Sequence, residues 1–100
     1  MFFSQALSIV SPGTSVSHRT IHNKIKTGSF TVLEKDSNTM RVRNSKGNER
    51  RVTEKDWDTF VAALPGLRDG SIARNSLKNM QTTYVMGLIG LWEDQGKRFY

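Results

Sequence analysis

The stretch Thr39-Met40-Arg41-Val42-Arg43-Asn44-Ser45-Lys46-Gly47-Asn48-Glu49-Arg50-Arg51-Val52 decides the fold. Its first five residues alternate strictly. Successive side chains of a strand project to opposite faces, so Met40 and Val42 share one face while Thr39, Arg41 and Arg43 share the other. Asn44 to Asn48 is a polar turn in which Gly47 can take a positive φ, and Glu49 to Val52 returns as the partner strand. Upstream, Ser29-Phe30-Thr31-Val32-Leu33-Glu34 is rich in β-branched and aromatic residues and is joined to Thr39 by the turn-forming Asp36-Ser37-Asn38. Together these segments predict a three-stranded antiparallel meander ending in a basic hairpin.

Helical patterns flank the meander. Downstream, Thr53 can cap a helix whose first turn carries Glu54 and Asp56, favourable against the helix dipole. Trp57, Phe60, Val61 and Leu64 then recur at i, i+3, i+4 and i+7 as one apolar stripe, and Pro65-Gly66 is expected to close the helix. A second helical pattern runs through Leu77, Met80, Tyr84, Leu88 and Leu91, widened by Val85, Ile89 and Trp92. Gly87 and Gly90 inside it cost about 1 kcal/mol each relative to Ala, which predicts close packing against another backbone. On the other side, Ser11-Pro12-Gly13-Thr14 separates a short apolar N-terminus, an arm or short helix over 1–14, from the rest. A helix is expected from Ser15 or Ser17 through Lys26, with Val16, Ile21 and Ile25 near one face and Gly28 ending it.

The fold class that follows is α+β: an N-terminal helical segment, the three-stranded antiparallel β-meander with its basic hairpin, and two C-terminal helices. One compact domain over 15–94 is expected, with a tail over 95–100. A chain of 100 residues with 36% apolar content supports one modest core. It has no cysteine, which excludes disulfides and thiolate metal sites. The apolar run from Tyr84 to Trp92 is far short of the roughly 20 residues a membrane helix needs. Residues 1–10 lack a basic leader and are interrupted by Ser4, Gln5 and Ser8, so a cytoplasmic protein is expected.

The charge is unevenly placed. The net +6 falls entirely between Ser15 and Val52, where Arg19, Lys24, Lys26, Lys35, Arg41, Arg43, Lys46, Arg50 and Arg51 face only Glu34, Asp36 and Glu49. Clustered positive charge raises local potential and attracts an anionic partner, nucleic acid first among them. A two-stranded ribbon fits the DNA major groove, and Arg and Lys pair with phosphates along any backbone.

The segment Val16-Ser17-His18-Arg19-Thr20-Ile21-His22-Asn23-Lys24-Ile25-Lys26-Thr27-Gly28 resembles the second half of a helix-turn-helix of the winged-helix type. The resemblance rests on the Val-Ser and Thr-Ile pairs, and Ser11, Pro12 and Gly13 depart from it upstream. It implies that His18, Arg19, His22, Asn23 and Lys26 face nucleic acid, with Asn reading adenine and Arg reading guanine. The candidate binding residues are therefore Arg19, His22, Asn23, Lys24 and Lys26 on the helix and Arg41, Arg43, Lys46, Arg50 and Arg51 on the hairpin.

Other constellations point less far. His18 and His22 stand at i, i+4, a spacing that can place two imidazoles on one metal, but no acid lies within ten residues of either. Glu54, Asp56 and Asp58 evoke metal-dependent nuclease chemistry, yet capping explains them. No set of nucleophile, base and orienting group is present, so neither catalysis nor a cofactor is expected. The functional expectation is non-catalytic nucleic-acid binding, DNA favoured over RNA. Two alternatives stand beside it: a small inhibitor or adaptor of mobile-element or phage type docking on an acidic protein, and an accessory DNA-binding module of a nuclease assembly. The C-terminal helix, through Val85 and Met86, offers a homodimer contact.

Overall fold

The computed structural model describes residues 2–73 and 81–96. Its elements, in chain order, are α1 (Phe3–Leu7), β1 (Ser15–Arg19), β2 (Ile25–Lys35), β3 (Thr39–Asn44), β4 (Glu49–Thr53), α2 (Glu54–Asp69) and α3 (Thr82–Asp94). The four strands form one antiparallel sheet in the order β1-β2-β3-β4. The architecture is thus the expected α+β, with one strand more than the sequence suggests.

The extra strand replaces the helix expected from Ser15 or Ser17 to Lys26. Ser15-Val16-Ser17-His18-Arg19 is extended, Asn23 turns the chain with φ of 60°, and Lys26 already belongs to β2. The three residues meant to form a helical face do not share an environment: Val16 is 1% exposed, Ile21 is half-buried and Ile25 is 68% exposed. Gly28 ends no helix. It lies within β2 at φ of 98°, a conformation open mainly to glycine, and the spot its missing Cβ would occupy lies 3.0 Å from the His18 ring.

Register explains which charges meet solvent. Met40 pairs with Val52, Val42 with both Val32 and Arg50, and Val16 with Phe30, and all these apolar side chains are buried beneath the helices. The opposite row places Glu34 across from Arg41, Arg41 across from Arg51, and Arg43 across from both Thr31 and Glu49. That face carries no helix. The strict alternation read from 39–43 therefore holds.

Helix α2 starts as expected and ends later. Thr53 Oγ1 accepts the Asp56 amide at 3.2 Å, and Asp56 Oδ2 accepts the Thr53 amide at 3.0 Å, a reciprocal cap. Pro65 and Gly66 do not close the helix, which runs to Asp69 and ends on Gly70 at φ of 87°. The continuation is held by Leu67, buried in the core, and by Arg68, whose Nε donates to the Ile21 carbonyl at 2.6 Å.

Helix α3 is the most enclosed element. Every residue from Tyr84 to Gly90 is buried, Val85 at 0% and Met86 at 2% exposure, so the face expected to serve a homodimer is used inside the chain. The helix packs on β1 and also meets α1 and α2. Its glycines are saddles: a Cβ on Gly87 would meet Phe30 at 2.7 Å, and one on Gly90 would collide with the Arg19 and Asn23 side chains. The close neighbours are mostly side chains, with the Ser17 carbonyl the one backbone group among them. The Leu77 and Met80 part of the expected helix and the tail from Lys97 lie outside the described residues.

Phe3, Ala6, Leu7 and Val10 complete the core from the N-terminal side, and Phe3 stacks on Trp57 with ring centroids 5.2 Å apart. Lys35 Nζ reaches back to the Leu7 carbonyl at 2.8 Å, which closes the α1 end over the sheet.

Candidate nucleic-acid interface

The ten basic and polar residues singled out in the sequence divide into three groups. The first is structural. Arg19 is 7% exposed and lies over Gly90, where its Nη1 donates to Asn23 Oδ1 at 2.9 Å and to Asp94 Oδ2 at 2.6 Å. Asn23 Nδ2 donates to the other Asp94 oxygen at 3.2 Å. The Arg19 hydrogen bond, opposed by desolvation, holds the Asp94 carboxyl below the usual carboxylate range. Arg19 and Asn23 therefore clasp the β1–β2 turn to the end of α3. A helix would have presented them outward; a bulge between Ser17 and Arg19 in the β1–β2 pairing accompanies the inward turn of Arg19.

The second group is balanced on the open sheet face. Arg41 donates to Glu34 at 2.7 Å and to Glu49 at 2.5 Å, and Arg43 lies 3.6 Å from Glu49. The Glu34 hydrogen bond and charge, with Glu49 behind them, raise the Arg41 pKa. Arg51 sits opposite Arg41 and within electrostatic reach of Asp36, whose carboxyl is held low chiefly by hydrogen bonds from Asn38 and Thr39. All three acids of the basic window thus lie on this face or on the turn below it.

The third group is uncompensated. Lys24, Lys26, Lys46 and Arg50 are exposed, and none makes an ion pair among the described residues; His22 is exposed beside them. In an up-and-down meander the β1–β2 and β3–β4 connections lie at one end, so Lys24, Lys26 and Lys46 share it. The opposite end holds the β2–β3 turn with Asp36 and the start of α2 with Glu54, Asp56 and Asp58, joined by the Glu54 amide donating to the Asn38 carbonyl. The unpaired lysines of the candidate set and these acids thus lie at opposite ends of the strands, with Lys35 and Lys55 at the acidic end and Glu93 and Asp94, both ion-paired, at the other.

His18, expected from the resemblance to face a partner, instead packs between Phe30 and Tyr84, with ring centroids 5.8 and 6.3 Å away. Burial, then the Lys26 charge, depress its pKa, and its Nδ1 is buried without a hydrogen-bond partner. Among the described residues no three His, Asp or Glu side chains converge as a metal site would require. Asp56, the centre of the suspected carboxylate cluster, is occupied by the α2 cap. No helix among the described residues is long and apolar enough to cross a membrane.

Two features escaped the sequence. Arg68 bridges Glu93 at 2.9 Å while holding Ile21, and a cleft bordered by β1, the β3–β4 turn and the start of α3 brings His18 to Lys46. Both join residues far apart in the chain, and no local pattern marks either. Comparison with protein-family models, curated proteins and solved structures yields no match.

Proposed function

We propose that this protein binds nucleic acid, duplex DNA before RNA, without catalysing a reaction, and that the contact is made by the basic end of the sheet. The observation that carries the reading is the set Lys24, Lys26, Lys46 and Arg50, exposed and without carboxylate partners among the described residues. Three of these are lysines at a strand end or turn, suited to phosphates as point charges and carrying no base-reading geometry. The contact is accordingly electrostatic and weakly sequence-dependent, with Arg43 and Arg51 adding to its flank. Arg19, Asn23 and Arg41 play no part in it.

The test is a titration of fluorescent random duplex across roughly 50 to 200 mM salt. Each phosphate contact contributes about 0.9 to the slope of log affinity against log salt, so the native slope should be roughly 3 to 5. Replacing Lys24, Lys26, Lys46 and Arg50 by Gln should remove most of it. Absence of binding at low salt, or a slope indifferent to the four substitutions, would sink the proposal. Co-purification with one acidic protein after nuclease treatment, without duplex binding, would transfer this surface to a protein partner.

A further inference from the structure

The cleft between β1, the β3–β4 turn and the start of α3 has a volume of about 360 Å³. Its walls include His18, Ser45, Lys46, Thr82, Thr83 and Tyr84, and among the described residues no carboxylate lines it. Asn44 and Gln81, which also line it, carry both donors and acceptors, and the other polar groups can all donate. Lys46 is an obligate donor, and the Ser45, Thr82 and Thr83 hydroxyls can donate. The Tyr84 oxygen accepts from Asn44 Nδ2 at 3.3 Å, which leaves its own O–H to donate. A recess this size is larger than an isolated phosphate and falls in the range that holds a small organic ligand.

The charged and titratable neighbours of His18 come from every side of it: Lys26 on β2, Lys46 on the β3–β4 turn and Tyr84 on α3. No acid balances them within the cleft. An anion there would meet a convergent set of donors and relieve repulsion between Lys26 and a protonated His18. Tyr84 is only 9% exposed and already packs edge-on against Phe30, so it offers no free face for a base to stack on. The chemistry selects a tetrahedral oxyanion, whose several oxygens can take several donors at once.

We propose that this cleft is a binding site for a phosphate group, carried either by a free nucleotide or by the end of a nucleic-acid strand. The cleft shares Lys46 with the surface of the proposed function, but its remaining groups, Ser45, Thr82, Thr83 and Tyr84, lie outside that surface, so Thr83→Val tests the cleft alone.

The experiment follows the imidazole resonances of His18 and His22 by NMR in the whole protein through a pH titration. It is run with sodium chloride alone, inorganic phosphate, AMP, adenosine or acetate, all at one ionic strength. Phosphate and AMP should raise the His18 midpoint by about half a unit or more and saturably, because a nearby anion favours the imidazolium. The exposed His22, acetate and adenosine should show no such change. Lys46→Gln, a turn residue outside the core, and Thr83→Val should each weaken phosphate binding at least about fivefold. AMP saturating about tenfold below phosphate would identify a mononucleotide. Equal affinity for the two, with tighter binding of a 5′-phosphorylated oligonucleotide, would identify a strand end.

An unmoved His18 in phosphate and AMP, or an equal shift in acetate, would overturn the assignment. So would Lys46→Gln and Thr83→Val variants that are folded and titrate like the native protein with phosphate. Duplex binding that persists while His18 stays unmoved removes the cleft alone. A His18 shift without duplex binding removes the proposed function alone.

Discussion

Replacing Arg19 with Met separates a structural clasp from a binding residue. Met keeps most of the apolar stem over Gly90, so little cavity opens, and removes the guanidinium that joins Asn23 to Asp94. A hydrogen bond to a charged group is worth about 1.5 to 3 kcal/mol net. Asp94 is 48% exposed and rehydrates when its partner leaves, which puts the loss at the low end of that range. The buried Nε has no partner, and deleting it offsets about 1 kcal/mol of the loss. With two such bonds lost, to Asn23 and to Asp94, the expected net destabilisation is about 2 kcal/mol, or roughly 8 to 16 °C in Tm for a domain this size. The pH dependence sharpens the test. The Asp94 carboxyl titrates lower in the fold than in the unfolded chain, so its contribution is complete above the ordinary carboxylate pKa and disappears as pH falls through the lowered value. The gap between native and Arg19→Met stability should therefore narrow in acid. Thermal denaturation by circular dichroism from pH 7 to pH 2 measures both effects, and duplex titration should show an unchanged salt slope. An unaltered Tm combined with a slope lower by about 0.9 would mean that Arg19 faces the nucleic acid and that the clasp reasoning is wrong.

Trp57→Ala removes a ring that is 0% exposed and stacked on Phe3, so a loss of about 3 to 5 kcal/mol is expected by urea titration; a stable variant would place that stripe outside the core. Gly87→Ala gains about 1 kcal/mol of helix propensity but drives a Cβ to 2.7 Å from Phe30, and overpacking of about 1 to 3 kcal/mol should win, lowering Tm. Glu49→Gln removes the acid beside Arg43, which flanks the contact, so duplex affinity at low salt should rise roughly two- to fivefold with Tm nearly unchanged; no gain in the titration would mean that Arg43 lies outside the contact. His18 titrates lower in the fold than its ordinary 6.5, so it contributes stability above that value, and this falls away on acidification between the ordinary and the lowered pKa. His18→Gln should flatten that limb of the stability curve.

How far the sequence could be read depended on the range of the interaction. Alternation over 39–43 and the reciprocal cap at Thr53 and Asp56 are local, and both appear in the structure where the chain suggested. The 15–26 segment misled because its apolar residues sit five and four apart, a spacing that fits a helix loosely and a bulged hairpin equally well. What settled it was the chance to bury Val16 against Phe30 and to lay Arg19 across Gly90, contacts invisible in a window of a dozen residues. Pro65 misled for a similar reason: the local rule says stop, but Leu67 in the core and Arg68 on Ile21 reward continuation. The candidate site was legible as composition and illegible as geometry. Counting places the whole positive excess between Ser15 and Val52. It could not show that Arg19 pairs with Asp94, 75 residues away, or that Glu34 and Glu49 lie across the sheet from arginines.

That cross-strand placement changes what the net charge means. Arg41 directly opposite Arg51 is a repulsive pair, and Glu34 and Glu49 relieve it by flanking Arg41. The sheet centre is thereby held near neutrality, while the lysines at the connections have no such constraint, since turns impose no cross-strand partner. The positive excess consequently accumulates at one end of the strands and the acids of the β2–β3 turn and the α2 cap at the other. Under the proposed function, the lysine-bearing end would meet a phosphate backbone first, because the acids of the far end are repelled by the field that attracts the near one. In that orientation the cleft beside Lys46 would lie at the contact, the one place where the two proposals share a residue.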